Sequence, residues 1–217
     1  MKYTEQKFIL TGTSPILGSI AMDKKVFTEY LATKGKTDEE RQKAMNDVDN
    51  VPEGGESAEN KATGFYRDEN GNFILKEYQV KGFLKEAARC LKDQLGLVAP
   101  VSKIDNFVFI RETNLLIHTA TGDTVTEASS ILDRPLRAMT AQGPRVALAY
   151  SEMVDDWSIE FTLRVLQNEG SKKSVAMTMD VIEELLEYGA LKGLLQWRNG
   201  GYGKFTFEKV GERIVNE

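Results

Sequence analysis

Between Trp157 and Leu166 apolar and polar residues alternate, so that Trp157, Ile159, Phe161, Leu163 and Val165 share one face. Period-two alternation is the pattern of a strand with one face buried and the other toward solvent. The chain is therefore built on a sheet that covers a core. Lys7–Gly12 reads as a first strand, ended by Thr13-Ser14-Pro15. Gly64–Arg67 and Phe73–Leu75 flank Asn70-Gly71, a hairpin signal because both residues tolerate positive φ. Phe107–Ile110 and Leu115–Ile117 read as buried strands, and Thr119–Ser130 as an exposed loop. A second hairpin joins Leu136–Met139 to Val146–Ala149 through Gln142-Gly143-Pro144, and Phe205–Val210 closes the sheet.

Two segments carry helical periodicity instead. In Gln79–Leu95, Leu84, Ala87, Ala88, Leu91 and Leu95 recur at spacings of three and four, with Gly96 as terminator. In Thr178–Lys192 the stripe is Ile182, Leu185, Leu186 and Gly189, with Asp180 as the expected cap and Glu183 three residues on. Lys24–Leu31 is a short helix or strand, and Asp38–Met45 a polar helix candidate. Asp49–Lys61, with Pro52, Gly54, Gly55 and several glutamates, predicts a mobile or disordered loop. Two helices among mostly antiparallel strands predict an α+β fold with the helices on one face of the sheet. A ferredoxin-like (RRM-like) split βαβ core accommodates this order if the middle strands form an insertion. At 217 residues, one domain over 1–217 is the expectation, with a flexible acidic insertion at 37–63 and an inserted hairpin region at 119–156.

The net charge of −5 argues at first against a nucleic-acid partner. Its distribution reverses that. Thr37–Asn72 holds ten acidic and four basic residues, and the remainder 23 acidic and 24 basic. The acidity belongs to one segment, so the averaged charge says little about partners. The single cysteine, Cys90, excludes an internal disulfide and a thiolate zinc site, and its place in a helix predicts a buried thiol. No apolar run is long enough to span a bilayer, and Met1–Lys7 lacks the apolar stretch of a signal peptide, so a cytoplasmic protein is expected. No metal-binding motif appears, and neither a metal nor a cofactor is expected. The one histidine, His118, has no serine or cysteine placed beside it by the sequence, and reads as structural or solvent-facing rather than catalytic.

Two features can carry binding. In Trp197-Arg198-Asn199-Gly200-Gly201-Tyr202-Gly203-Lys204 the three glycines let backbone approach a ligand and expose N–H groups. Arg198 and Lys204 can pair with phosphates, and Trp197 and Tyr202 can stack on bases. The glycine spacing is not that of a P-loop, and Phe205 stands where a P-loop has Ser or Thr. A tight Asn-Gly turn between two strands explains the same residues equally well. The second feature is the stripe Lys81, Lys85, Arg89 and Lys92, which shares a helix face, with Glu77 and Glu86 placed to neutralise parts of it. It is either a solvated face or a phosphate-tracking surface. Arg134, Arg137 and Arg145 add arginines to the second hairpin, which can track a nucleic acid or contact a subunit.

Three segments resemble the RAMP superfamily. Tyr78-Gln79-Val80-Lys81-Gly82-Phe83-Leu84-Lys85 is similar to that family's strand-to-helix junction with its Lys-Gly pair. Gly189 to Phe205 looks like its glycine-rich loop, and Leu10 to Ser19 like its first strand and turn. The matches lie in the family's order and reach from one end of the chain to the other. The family includes the backbone subunits of CRISPR effector complexes, which coat guide RNA as a helical row, and endoribonucleases that process guide precursors. The resemblance implies RNA binding through the glycine-rich loop and first helix, with a hairpin between Leu132 and Met153 as a thumb. The residues it implicates are Lys81, Lys85, Arg89, Arg137, Arg145, Trp197, Arg198, Gly200, Gly201, Tyr202, Gly203 and Lys204. Expected partners are single-stranded guide-like RNA and other copies of the chain or other RAMP subunits, without a membrane. Family nucleases often use a histidine base, and no motif surrounds His118, so a non-catalytic member is expected. The alternatives are an endoribonuclease using His118, or a structural protein of a mobile element.

Overall fold

The computed structural model describes residues 1–22, 63–140, 143–169 and 174–216, with the side chains of 136–140 and 144–148 outside the described set. Lys24–Leu31, Asp38–Met45, Asp49–Lys61 and all of the acidic insertion but Thr63 lie outside the described residues. The protein is α+β with mostly antiparallel strands. Its elements are β1 Tyr3–Gly12, β2 Ile16–Leu17, β3 Ile20–Ala21, β4 Thr63–Gly64, β5 Tyr66–Arg67, β6 Phe73–Lys76, α1 Glu77–Cys90, α2 Pro100–Phe107, β7 Val108–Ile110, β8 Asn114–His118, β9 Ser130–Thr140, β10 Gly143–Val154, β11 Ser158–Leu166, α3 Met179–Glu187, α4 Gly189–Lys192 and β12 Phe205–Asn216.

Among the described residues the larger sheet runs β12-β1-β11-β8-β6-β5. Strand β11 is its centre because alternation gives it one fully apolar face: Trp157, Ile159, Phe161 and Leu163 are wholly buried. It pairs with β1 from Tyr3↔Leu166 to Thr11↔Ser158. On its other side β8 takes the Ser158 end and β7 the Val165 end, so the neighbouring strand is broken at residues 111–113. Helices α1 and α3 close one face of the sheet over Phe8, Leu10 and the apolar face of β11. The smaller sheet, β2-β10-β4-β3 with β9 against β10, carries the long hairpin, and β4 meets β10 in parallel. It joins the body where Met153 and Val154 pair with Leu17 and Ile16.

Helix α1 begins where Lys76, in extended conformation, takes Gln79 Oε1 on its backbone N–H (2.9 Å). Val80, Phe83, Leu84, Ala87 and Ala88 then bury one stripe. The helix ends at Cys90, earlier than the expected Leu95. Residues 91–97 continue as turns (Leu95 N to Leu91 O, 2.9 Å; Leu97 N to Lys92 O, 2.8 Å), which keeps Leu91 and Leu95 against the core without a regular helix. Cys90 is exposed, contrary to the buried expectation, because the stripe turns inward one residue away from it. The neighbouring thiol, with burial, holds the Tyr188 phenol above its usual range.

Helix α2 has no counterpart in the sequence reading, and it takes Phe107 away from the expected strand. Its single wholly buried residue, Ile104, leaves no periodicity to detect. The cap of α3 is Thr178, extended at φ −122° and ψ 168°, whose Oγ1 accepts from Val181 N (3.4 Å). Asp180 is already helical and pairs instead with Arg213 at 2.8 Å. The expected helix through Lys192 breaks at Tyr188, after which Gly189 lies too close to the Phe205 ring to admit a side chain.

Both expected hairpins form. At the first, Gly71 has φ +82°, and Asp68 accepts from Asn70 N and Asn72 N (2.9 and 2.8 Å). Slight burial pushes the Asp68 carboxyl up, but bonds from the Asn72 side chain and from the Asn72 and Asn70 backbone outweigh it and hold the group below its usual range. At the second, β9 and β10 pair from Gly143↔Thr140 to Met153↔Ser130. The closing strand β12 runs past the expected Val210 and slips against β1: Val210 faces Lys7 and Ile214 faces Glu5, so three residues stand opposite buried Gln6. Gly211 takes φ +71° there.

Candidate functional site

The glycine-rich loop sits where β1 ends and β12 begins. Thr13 N and Ser14 N both donate to Lys204 O (2.8 and 3.3 Å), and Ser14 Oγ accepts from Lys204 N (2.9 Å). Gly203 is gripped from two sides, its N–H on Pro15 O and its carbonyl on Leu194 N, both at 2.8 Å. Its φ is +72°, and a Cβ there would overlap Leu194 O. Beneath, the wholly buried Trp157 donates from Nε1 to Ser14 O (2.9 Å). The loop is thus pinned to the core by backbone.

Above these pins the chain is strained. Leu195 and Trp197 take φ +62° and +50°, a left-handed conformation that costs a non-glycine residue about 1–2 kcal/mol. Arg198–Gly200 forms a 3-10 turn in which Gly200 N donates to Trp197 O (2.8 Å) and Gly201 N to Arg198 O (3.0 Å). The N–H groups of Gly200, Gly201 and Gly203 are therefore spent inside the chain, and the expected exposed N–H cradle does not form at them. The simple two-strand turn is corrected as well, since the loop joins α4 to β12. Gly201, at φ +90° with open space around it, is where backbone comes to the surface.

The side chains converge differently from expectation. Trp197, 39% exposed, stacks on Tyr202 with centroids 5.1 Å apart and planes 15° apart. The Arg134 guanidinium of β9 lies 4.6 Å from the centre of the same indole. Arg134 Nε is buried without a partner. Gln196 faces Gly18 O (2.8 Å), Thr63 Oγ1 (2.9 Å) and Ser151 Oγ (3.1 Å), which orients its amide nitrogen toward them and leaves its oxygen for Arg134 Nη2 (3.3 Å). Arg198 forms an ion pair with Glu86 of α1. Lys192 joins it, 3.6 Å from Glu86 and 3.1 Å from Asn199 Oδ1. The Lys204 ammonium has no hydrogen-bond or ion-pair partner among the described residues.

The α1 stripe stands apart from this loop. Lys85 is 2.5 Å from Asp105 of α2, and Lys81 lies 5.1 Å over the Phe109 ring and donates to Asp105 O (3.4 Å). Arg89 is exposed beside Lys92 at a shallow depression against the start of α2. Glu86, which meets Arg198, projects from a different side of the helix. The stripe is thus in part a packing surface for α2. Arg137 and Arg145 lie opposite Val146 and Ala138, on adjacent rungs of the hairpin. Sequence reasoning places Arg134 on the hairpin but not at the loop, and misses Gln196, Lys192 and Glu86 as its neighbours. No local pattern connects them, since each contact spans separate elements.

His118 ends β8 opposite Ser158, which itself faces Thr11. It belongs to the same end of the sheet as the loop, two strands from β1, about 10 Å by strand spacing.

No protein-family model matches this chain, and no curated protein matches it. Among solved structures it is similar to a chain in the cryo-EM structure of the Type III-B Cmr-beta bound to cognate target RNA, at 13% sequence identity and a TM-score of 0.47. That alignment takes in 99% of this chain and 61% of the other's length.

Proposed function

We propose that this chain is a non-catalytic RNA-binding subunit of RAMP type, built on a ferredoxin-like core and acting within a ribonucleoprotein of repeated or related subunits. The strand order β12-β1-β11-β8, with α1 reached from β1 through the inserted strands β2–β6 and α3 following β11, supports that core. The observation that carries the RNA reading is a half-exposed indole–phenol stack in the same short loop as Lys204, whose ammonium has no partner among the described residues. Stacked faces suit bases of any sequence, and a flanking ammonium suits the phosphate between them. The β9–β10 hairpin is the thumb beside this strand.

The test is binding of labelled single-stranded RNA by the full chain at two salt concentrations, after removal of co-purified nucleic acid. Affinity is expected to fall steeply with salt, and Lys204→Ala to flatten the log–log slope by about 0.7, the step for one phosphate on a single strand. Arg198 starts from a disadvantage, because Glu86 already occupies it. Glu86→Gln, which releases Arg198 and Lys192, is expected to tighten binding about threefold to tenfold and to steepen the slope. Salt-independent behaviour with no RNA retained would move the function to protein–protein assembly.

The endoribonuclease alternative draws on the place of His118 at the loop's end of the sheet. Incubation of a labelled guide precursor with wild type and His118→Ala decides it: cleavage abolished by the substitution supports it, while unchanged cleavage, or none by either protein, removes it.

A further inference from the structure

We propose that Arg134 is a positioning residue for the loop: its guanidinium holds Trp197 in the left-handed conformation that stacks the indole on Tyr202, making the hairpin and the loop one recognition unit. The role in binding rests on the RNA reading above, whereas the positioning does not.

A left-handed tryptophan must be held by something. Locally Trp197 has one backbone bond, to Gly200 N, and the stack on Tyr202, which is carried by the same loop and cannot anchor it. Arg134 comes from outside, on a strand whose backbone is paired along its whole length with β10. Its chemistry there is unusual for arginine. No carboxylate pairs with it among the described residues, its Nε is buried and unpartnered, and its one bond goes to the neutral amide of Gln196. Gln196 precedes Trp197 and is itself tied to Thr63 and Ser151 of the smaller sheet and to Gly18 in the link between β2 and β3. The guanidinium therefore meets the loop twice, at the amide of residue 196 and over the ring of residue 197. Meeting an amide and a ring at once suits the planar, multiply donating fork of arginine better than lysine, whose ammonium is a compact, strongly hydrated point charge.

The chain has two tryptophans, and Trp157 is wholly buried, so acrylamide quenching of intrinsic fluorescence reads Trp197. In the full-length protein, Arg134→Lys and Arg134→Ala are both expected to raise the quenching constant while the far-UV spectrum and melting transition stay close to wild type. Both are expected to weaken single-stranded RNA binding about tenfold, the scale of removing one base–aromatic stack. In Trp197→Ala, adding Arg134→Ala is expected to weaken binding no further, the sign that the two residues act as one. Quenching unchanged in Arg134→Ala overturns the proposal whatever the binding assay gives. Quenching raised by the substitution in a protein whose wild type binds no RNA keeps the positioning role and overturns only the RNA reading. If Arg134→Ala melts early, Arg134→Lys decides: quenching at the wild-type value overturns the proposal.

Discussion

Gly203→Ala is expected to lower the melting temperature by about 10 °C, the shift that a loss of about 3–5 kcal/mol gives in a chain of this size. Three effects add. A left-handed alanine costs about 1–2 kcal/mol. Its Cβ would overlap Leu194 O and lie 2.9 Å from Leu194 N, both backbone atoms that cannot swing aside. Relieving that overlap pulls apart the bonds to Pro15 O and Leu194 N, each worth about 0.5–1.5 kcal/mol. Gly201→Ala is the matched control. It too takes a left-handed conformation, but with open space around its Cβ, so only the first cost of about 1–2 kcal/mol applies. Thermal unfolding of the two variants side by side checks this, and equal losses would mean that the loop is not gripped at Gly203.

Trp157→Ala is expected to cost about 3–5 kcal/mol, the usual range for emptying a large aromatic site in a core. Trp157 packs edge-on against Phe205 at 6.3 Å, and Gly12 lies so close to the indole that no side chain fits between. The more informative substitution is Trp157→Phe. It keeps most of the packing and removes the Nε1–H, leaving Ser14 O without its donor for about 1–3 kcal/mol. Ser14 also bonds Lys204 through its N–H and its hydroxyl, so the loss reaches the loop. Urea unfolding together with RNA affinity is expected to show both falling in Trp157→Phe. Stability reduced with affinity intact would mean that the pillar under the loop does not position Lys204.

The elements legible in the sequence are those whose neighbours are dictated by local chemistry. The alternation of β11, the Asn70-Gly71 and Gly143 hairpins and the stripes of α1 and α3 all lie within one segment, and all stand in the fold. Helix α2 is invisible because one buried isoleucine makes no period. Asp180 reads as a cap because a carboxylate before an apolar stripe fits two positions, and only the backbone angles of Thr178 separate them. At the site, residue types announce a loop with aromatics and cations, yet not what each is already bonded to. Whether glycine N–H groups face outward depends on Pro15, Trp197 and Arg198 carbonyls. Whether Arg198 is available depends on Glu86, a helix away. Such pairings follow from tertiary folding and leave no trace in spacing.

The slip in β12 also bears on how the protein behaves when concentrated. A regular strand of this length at the margin of a sheet would offer other molecules a continuous row of unpaired amides and carbonyls, the template from which aggregation spreads. The three residues set opposite Gln6 divide that row into two runs, Phe205–Val210 and Ile214–Asn216, that a straight partner cannot follow together. Lys209 and Arg213, engaged with Glu183 and Asp180 of α3, add charge just before the interruption and within it. The irregularity at Gly211 thus acts as a guard against edge-to-edge growth, and directs any ordered contact between copies of the chain to surfaces other than this edge.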